Sequence, residues 1–165
     1  MRNDLRFLTF VIAMLIGAPA ARAQNAAAVQ LFEDGQAKMK AGDLDGACAA
    51  FAESNRLESR AGTLINLGMC LEQSERLASA WAAYGDALAR AKDPAKKRIA
   101  ETRRAALEPR LSTLHINVNA PVDGLEVRRD GLLLEQASLG HPVPVDGGAY
   151  TIVASAPGHQ PWSTR

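Results

Sequence analysis

Between Leu31 and Arg90 the apolar positions are mostly small residues three or four apart, with a ring set among them. The stretch "DGACAAFAES", residues 45 to 54, carries Phe51, and "ASAWAAYGDA", residues 78 to 87, carries Tyr84 at the same place. Shifting the chain by 33 residues also pairs Leu31 with Leu64, Gly35 with Gly68, Leu44 with Leu77, Ala47 with Ala80 and Ser54 with Ala87. Glycine and alanine at this spacing let two helices approach closely, and the ring fills the gap that remains. The pattern therefore predicts two helical hairpins, with Phe51 and Tyr84 as buried wedges. "KAGDLDGA" supplies a turn at Gly42 and a helix N-cap at Asp43.

After Asp93-Pro94, an N-cap followed by a first-turn proline, "AKKRIAETRRAALEPRL" continues as a charged helix with Ala95, Ile99, Thr102 and Ala106 on one stripe. Glu101 and Glu108 interrupt its basic residues, which fits a solvated capping helix better than a basic recognition helix. At Ser112 the period changes to two. "TLHINVN" sets Leu114, Ile116 and Val118 against Thr113, His115 and Asn117, as a half-buried strand does. "LEVRRDGLLL" turns at Asp130-Gly131, a Gly147-Gly148 turn precedes "YTIVASA", and "QPWSTR" closes the chain. The expected fold class is α+β: N-terminal antiparallel helical hairpin repeats over residues 24–92, a capping helix over 93–111, and a small antiparallel β sandwich over 112–165.

The helical half resembles the tetratricopeptide repeat, whose period is about 34 residues. Gly35, Gly42, Ala47, Phe51 and Ser54 carry the resemblance in one copy, and Gly68, Ala80, Tyr84 and Ala87 in the next. Glu75 stands where the turn glycine belongs, and no closing proline follows either copy. The β half is similar to the PEGA module of exported bacterial proteins through Asp130, Gly131, Gly147, Gly148, Pro157 and Gly158, without a literal Pro-Glu-Gly-Ala. Its last strand is expected to run where the sequence reaches Arg165, so the module is either short or continued beyond.

The leader "MRNDLRFLTFVIAMLIGAPAARAQ" has Arg2 and Arg6, an apolar run from Phe7 to Ile16 and small residues around Arg22. That is the build of a secretory signal cleaved near Ala23, and Pro19 with Arg22 make the run too short for a membrane span. Cleavage removes three bases and one acid, leaving 16 basic and 17 acidic residues and a net charge near −1. A balanced chain gives no electrostatic basis for binding nucleic acid or a membrane surface. Export to the periplasm or cell surface places Cys48 and Cys70 where a disulfide persists; the alternative is two buried thiols acting as small apolar residues.

Catalytic constellations are missing: there is no phosphate loop, Cys-x-x-Cys, His-Glu-x-x-His or nucleophile elbow. His115, His141 and His159 fall on an outward strand position and in turns, which fits structural roles better than a metal site. No enzyme activity, metal or cofactor is expected. The tetratricopeptide resemblance implies a groove lined by the first helix of each pair, which here means Phe32, Gln36, Met39 and Lys40 with Ile65, Met69, Glu72 and Gln73. The two methionines suit an adaptable partner site, or are plain core fillers. The favoured reading is an exported adaptor that binds a protein or peptide partner in the cell envelope. The alternative is a cell-wall or carbohydrate binder acting through the β module, for which Trp162 and Tyr150 are the candidate platforms.

Overall fold

The computed structural model describes residues 18–120 and 122–165, and side chains from residue 23 onward. The proposed leader lies outside the described residues except for its last few, which continue into the first helix. Among the described residues five α-helices come first: α1 (Ala18–Ala41), α2 (Leu44–Leu57), α3 (Ala61–Gln73), α4 (Leu77–Arg90) and α5 (Pro94–Leu107). Six short strands follow: β1 (Ser112–His115), β2 (Glu126–Arg129), β3 (Leu132–Leu133), β4 (Pro142–Val145), β5 (Ile152–Ser155) and β6 (Trp162–Thr164). All pairings are antiparallel, in one sheet of order β1-β4 and another of order β3-β2-β5-β6. The layout is α+β.

The two helical hairpins, α1 with α2 and α3 with α4, are each closed by the same kind of joint. Phe51 of α2 and Tyr84 of α4 are both fully buried. A Cβ on Gly35 of α1 would sit 2.7 Å from Phe51 Cε1, and one on Gly68 of α3 would sit 2.5 Å from Tyr84 Cε1. Each ring therefore lies against a helix that has no side chain at that point, and the helices close to a distance that alanine would forbid. Around the joints pack Ala47, Leu64, Ile65, Leu71, Ala80, Ala83 and Ala87. Ser54 sits in this apolar layer because its hydroxyl donates to the Ala28 carbonyl at 2.7 Å.

The turns explain the helix ends. Gly42 takes φ 80°, and Asp43 Oδ1 accepts from Gly46 N at 2.9 Å to cap α2. In the second hairpin Glu75 occupies the equivalent position and also takes a left-handed φ of 57°. The left-handed turn recurs there without glycine, at a cost of about 1 kcal/mol for the side chain. A Cys48–Cys70 disulfide with a Cα separation of 5.5 Å ties α2 to α3, so it links the first hairpin to the second.

The buried face of α5 differs from the expected stripe. Ala100 and Leu107 are its buried residues, while Ile99 is 45% exposed and Ala95, Thr102 and Ala106 lie outside. Two arginines account for the rotation. Arg104 stacks its guanidinium 3.9 Å from the Trp81 ring centre, beside Gly85, and Arg103 reaches Glu72. Their aliphatic stems and stacking cover surface that an apolar count assigns to other positions.

In the β half, Asp130 (φ 49°) and Gly131 (φ 83°) form the two-residue turn between β2 and β3, as their sequence implies. The strand expected over Thr113–Asn119 stops at His115. Its partner β4 contains Pro142 and Pro144, which lack the N–H that a further strand on β4's far side would need, so this sheet stays two-stranded. Val127 and Ile152 are the only buried apolar residues on the described strands. Between the sheets, Leu114, Ile116 and Val143 face Leu133 and Leu134 across a cleft of about 250 Å³. The segment 162–164 pairs with β5 as an edge strand.

Candidate functional site

The two halves meet at a helix end. Arg76, the residue before α4, makes no side-chain cap, leaving the amides of the first turn open. Asp146, just past β4, fills that role across 67 residues of sequence: Oδ1 accepts from Ser79 N at 2.9 Å and Oδ2 from Ser79 Oγ at 2.5 Å. Arg76 Nε lies 3.7 Å from Oδ2. Tyr150 donates its hydroxyl to the Asp146 carbonyl at 2.6 Å, and Arg129 lies over the Tyr150 ring at 5.3 Å. Tyr150 is thus a docking residue, not an open platform.

The eight residues expected to line a groove separate into four groups. Gln36, Lys40 and Gln73 are exposed on α1 and α3. Phe32, Met39 and Met69 are partly buried against the core, and Phe32 packs tilted on Phe51 with ring centres 5.6 Å apart. Ile65 is 7% exposed and belongs to the core. Glu72 is already engaged: one of its oxygens accepts from Tyr84 Oη at 2.9 Å and from Arg103 Nη1 at 3.1 Å. Burial first, and the neighbouring Glu72 carboxylate second, hold the Tyr84 phenol well above its ordinary value of 10.0. The bond joins α3, α4 and α5, so Glu72 is a brace between helices and only partly open.

A cleft of about 170 Å³ opens where α1, α2, α3 and α5 approach one another. Phe32 is the one residue of the expected groove that lines it, with Val29, Ser54, Thr63, Arg60 and Lys96 among its other walls. The sequence pattern missed this cleft because its walls come from four helices with no common spacing.

Trp162 is 57% exposed on the edge strand β6. It borders a trough of about 270 Å³ whose other walls include Ile116, Val118, Val122, Val127 and Ile152. Of the three histidines, His115 donates from Nε2 to the Gly140 carbonyl at 2.7 Å. Among the described residues no three His, Cys, Asp or Glu side chains group as metal ligands would. Among them, too, no helix is long and apolar enough to cross a membrane. No family model, curated protein or solved structure matches the chain.

Proposed function

We propose that this chain is an exported, non-enzymatic adaptor that holds a protein or peptide partner of the cell envelope against the face formed by α1 and α3. In this reading the hairpins are tetratricopeptide-like holders, and a PEGA-like β module is fixed to them through Asp146. The observation that carries it is the arrangement on the first helix of each hairpin. Exposed Gln36, Lys40 and Gln73 stand beside half-buried Phe32, Met39 and Met69. Polar groups that can set register next to flexible apolar ones that can repack are what an adaptable peptide face needs.

A second reading places recognition on the β module, as a wall or carbohydrate binder, and the exposed ring of Trp162 favours it. The trough beside that ring is lined almost wholly by apolar side chains. A sugar needs hydrogen-bonding groups next to the stacking ring, so this reading ranks second. Capture from envelope extracts separates the two. The pair Lys40→Glu and Gln73→Glu abolishes retention of a defined partner while Trp162→Ala keeps it. Retention on purified cell wall that Trp162→Ala abolishes and the helix pair leaves intact would reverse the order. Glu72 is left alone in this test, because changing it breaks the brace to Tyr84 and Arg103.

A further inference from the structure

The Cys48–Cys70 bridge lies where the first hairpin meets the second. That contact is made chiefly by α2 against α3, the two helices the disulfide joins. Neither cysteine is open to solvent: Cys70 is 0% exposed and Cys48 6%. Both are packed into the core with Phe51, Leu71 and Tyr84. Thiol–disulfide exchange proceeds by attack of a thiolate on a disulfide sulfur, so the attacking cysteine has to reach the oxidant. In the closed joint neither cysteine reaches one, and cysteines enclosed in this way are inert. The bridge therefore forms while α3 is still away from α2.

A chain that closes first is held in the reduced state. Cys70 Sγ lies 3.2 Å from the Leu44 carbonyl oxygen, and Cys48 Sγ 3.8 Å from the Ser74 hydroxyl. As a thiol, Cys70 would donate to that carbonyl and Cys48 would share a hydrogen bond with Ser74, so the dithiol fits the same core. Helical hairpins close within about a millisecond, whereas disulfide formation without a catalyst takes minutes or longer. We infer that this chain is a substrate of an envelope thiol–disulfide oxidoreductase, which engages Cys48 before α3 closes on α2. Cys48 precedes Cys70 by 22 residues. In a chain that emerges at the pace of synthesis this gives the enzyme about 1–4 s with Cys48 alone. The Cys48 thiolate attacks the enzyme's disulfide, forming a mixed disulfide and releasing one enzyme sulfur as a thiolate. The mixed disulfide keeps the joint open until the Cys70 thiolate attacks Cys48 Sγ, which forms the bridge and releases the enzyme as a dithiol. The chain loses two electrons and two protons, and the electrons reduce the enzyme's disulfide. The sequence holds only these two cysteines, so one pairing exists within it and no isomerisation step is needed. The inference rests on the export reading, because an oxidising compartment is where such enzymes keep their disulfide form.

The full chain is reduced and divided into a urea-unfolded sample and a refolded one, with circular dichroism following the fold. Oxidised protein disulfide isomerase serves as the probe enzyme, and the loss of free thiols is read by alkylation. The unfolded chain is expected to oxidise readily and the refolded chain about a hundredfold more slowly, as for a site reached only when the joint opens. Oxidised glutathione should show the same contrast, because the barrier is the closed joint and not the size of the enzyme. Refolded and unfolded chains oxidised at similar rates, or a reduced chain without helical structure, would overturn the inference. The order of attack is read in acid-quenched cell envelopes. Cys70→Ala should accumulate a reductant-sensitive adduct through Cys48, and Cys48→Ala far less through Cys70; equal adducts would contradict engagement of Cys48 first. Loss of the leader, read by mass, reports export separately: a chain that keeps it would end the export reading and leave the exchange rates standing.

Discussion

Gly68→Ala places a methyl group at the joint of the second hairpin, where the new carbon would lie 2.5 Å from Tyr84 Cε1 and 2.8 Å from two further ring atoms. The ring would have to retreat by about 0.9 Å to reach ordinary contact at 3.4 Å. It has nowhere to go, being fully buried with its hydroxyl tied to Glu72, which Arg103 holds in turn. Overpacking of this kind costs about 1–3 kcal/mol. Alanine in mid-helix returns about 1 kcal/mol of propensity, so the expected net loss is about 0–2 kcal/mol. A methyl on Gly62, also in α3, would meet nothing within 4 Å, and Gly62→Ala should gain about 0.5–1 kcal/mol. Urea unfolding at constant m-value, with the disulfide intact, reads both changes from the midpoint. In a Tyr84→Ala background the obstacle is gone and Gly68→Ala should become stabilising. If Gly68→Ala is as stable as Gly62→Ala in the native background, the ring-on-glycine account of the repeat is wrong.

Replacing both Cys48 and Cys70 with alanine reopens a loop of sequence separation 22 and should lower stability by about 3 kcal/mol on the loop-entropy scale, measured by the same unfolding. Asp146→Ala removes the only side-chain acceptor at the start of α4 among the described residues and should cost about 1–2 kcal/mol, with faster proteolysis between the helical and β halves as the direct readout. Tyr84→Phe loses the hydroxyl bond to Glu72 and should cost about 1 kcal/mol at neutral pH. Because folding raises the Tyr84 pKa, its stabilisation is complete below the unfolded value of 10.0 and falls above it, by up to about 1.4 kcal/mol per pH unit, until the folded form also ionises. Tyr84→Phe should lack this part of the alkaline decline, which unfolding curves taken at successive pH values above 10.0 would show.

Local chemistry was legible in the sequence, and long-range chemistry was not. The 33-residue echo of Gly35 and Phe51 in Gly68 and Tyr84 predicted where rings would be buried, because a ring among small residues has few other ways to pack. Gly42, Asp43 and the Asp130-Gly131 turn were equally readable, since each depends on neighbours only a few positions away. The face of α5 was not legible because Arg103 and Arg104 pack against a carboxylate and an indole on other helices. Glu72 looked like a free groove residue for the same reason: its partners lie 12 and 31 positions away. Asp146 gave no signal at all, because a cap supplied from 67 residues downstream leaves no pattern at the helix it serves. The uncapped start of α3 is marked in the sequence only by an arginine in place of Ser, Thr, Asp or Asn.

Site-specific photocrosslinking in intact cell envelopes tests the partner face most directly. A photoreactive residue is placed at exposed Gln36 on α1 or Gln73 on α3, and for comparison at exposed Ala52 on α2 or Ala82 on α4. The first two positions should capture the same polypeptide and the second two should not. Capture confined to Ala52 and Ala82, or different products from Gln36 and Gln73, would contradict a single partner seated across α1 and α3.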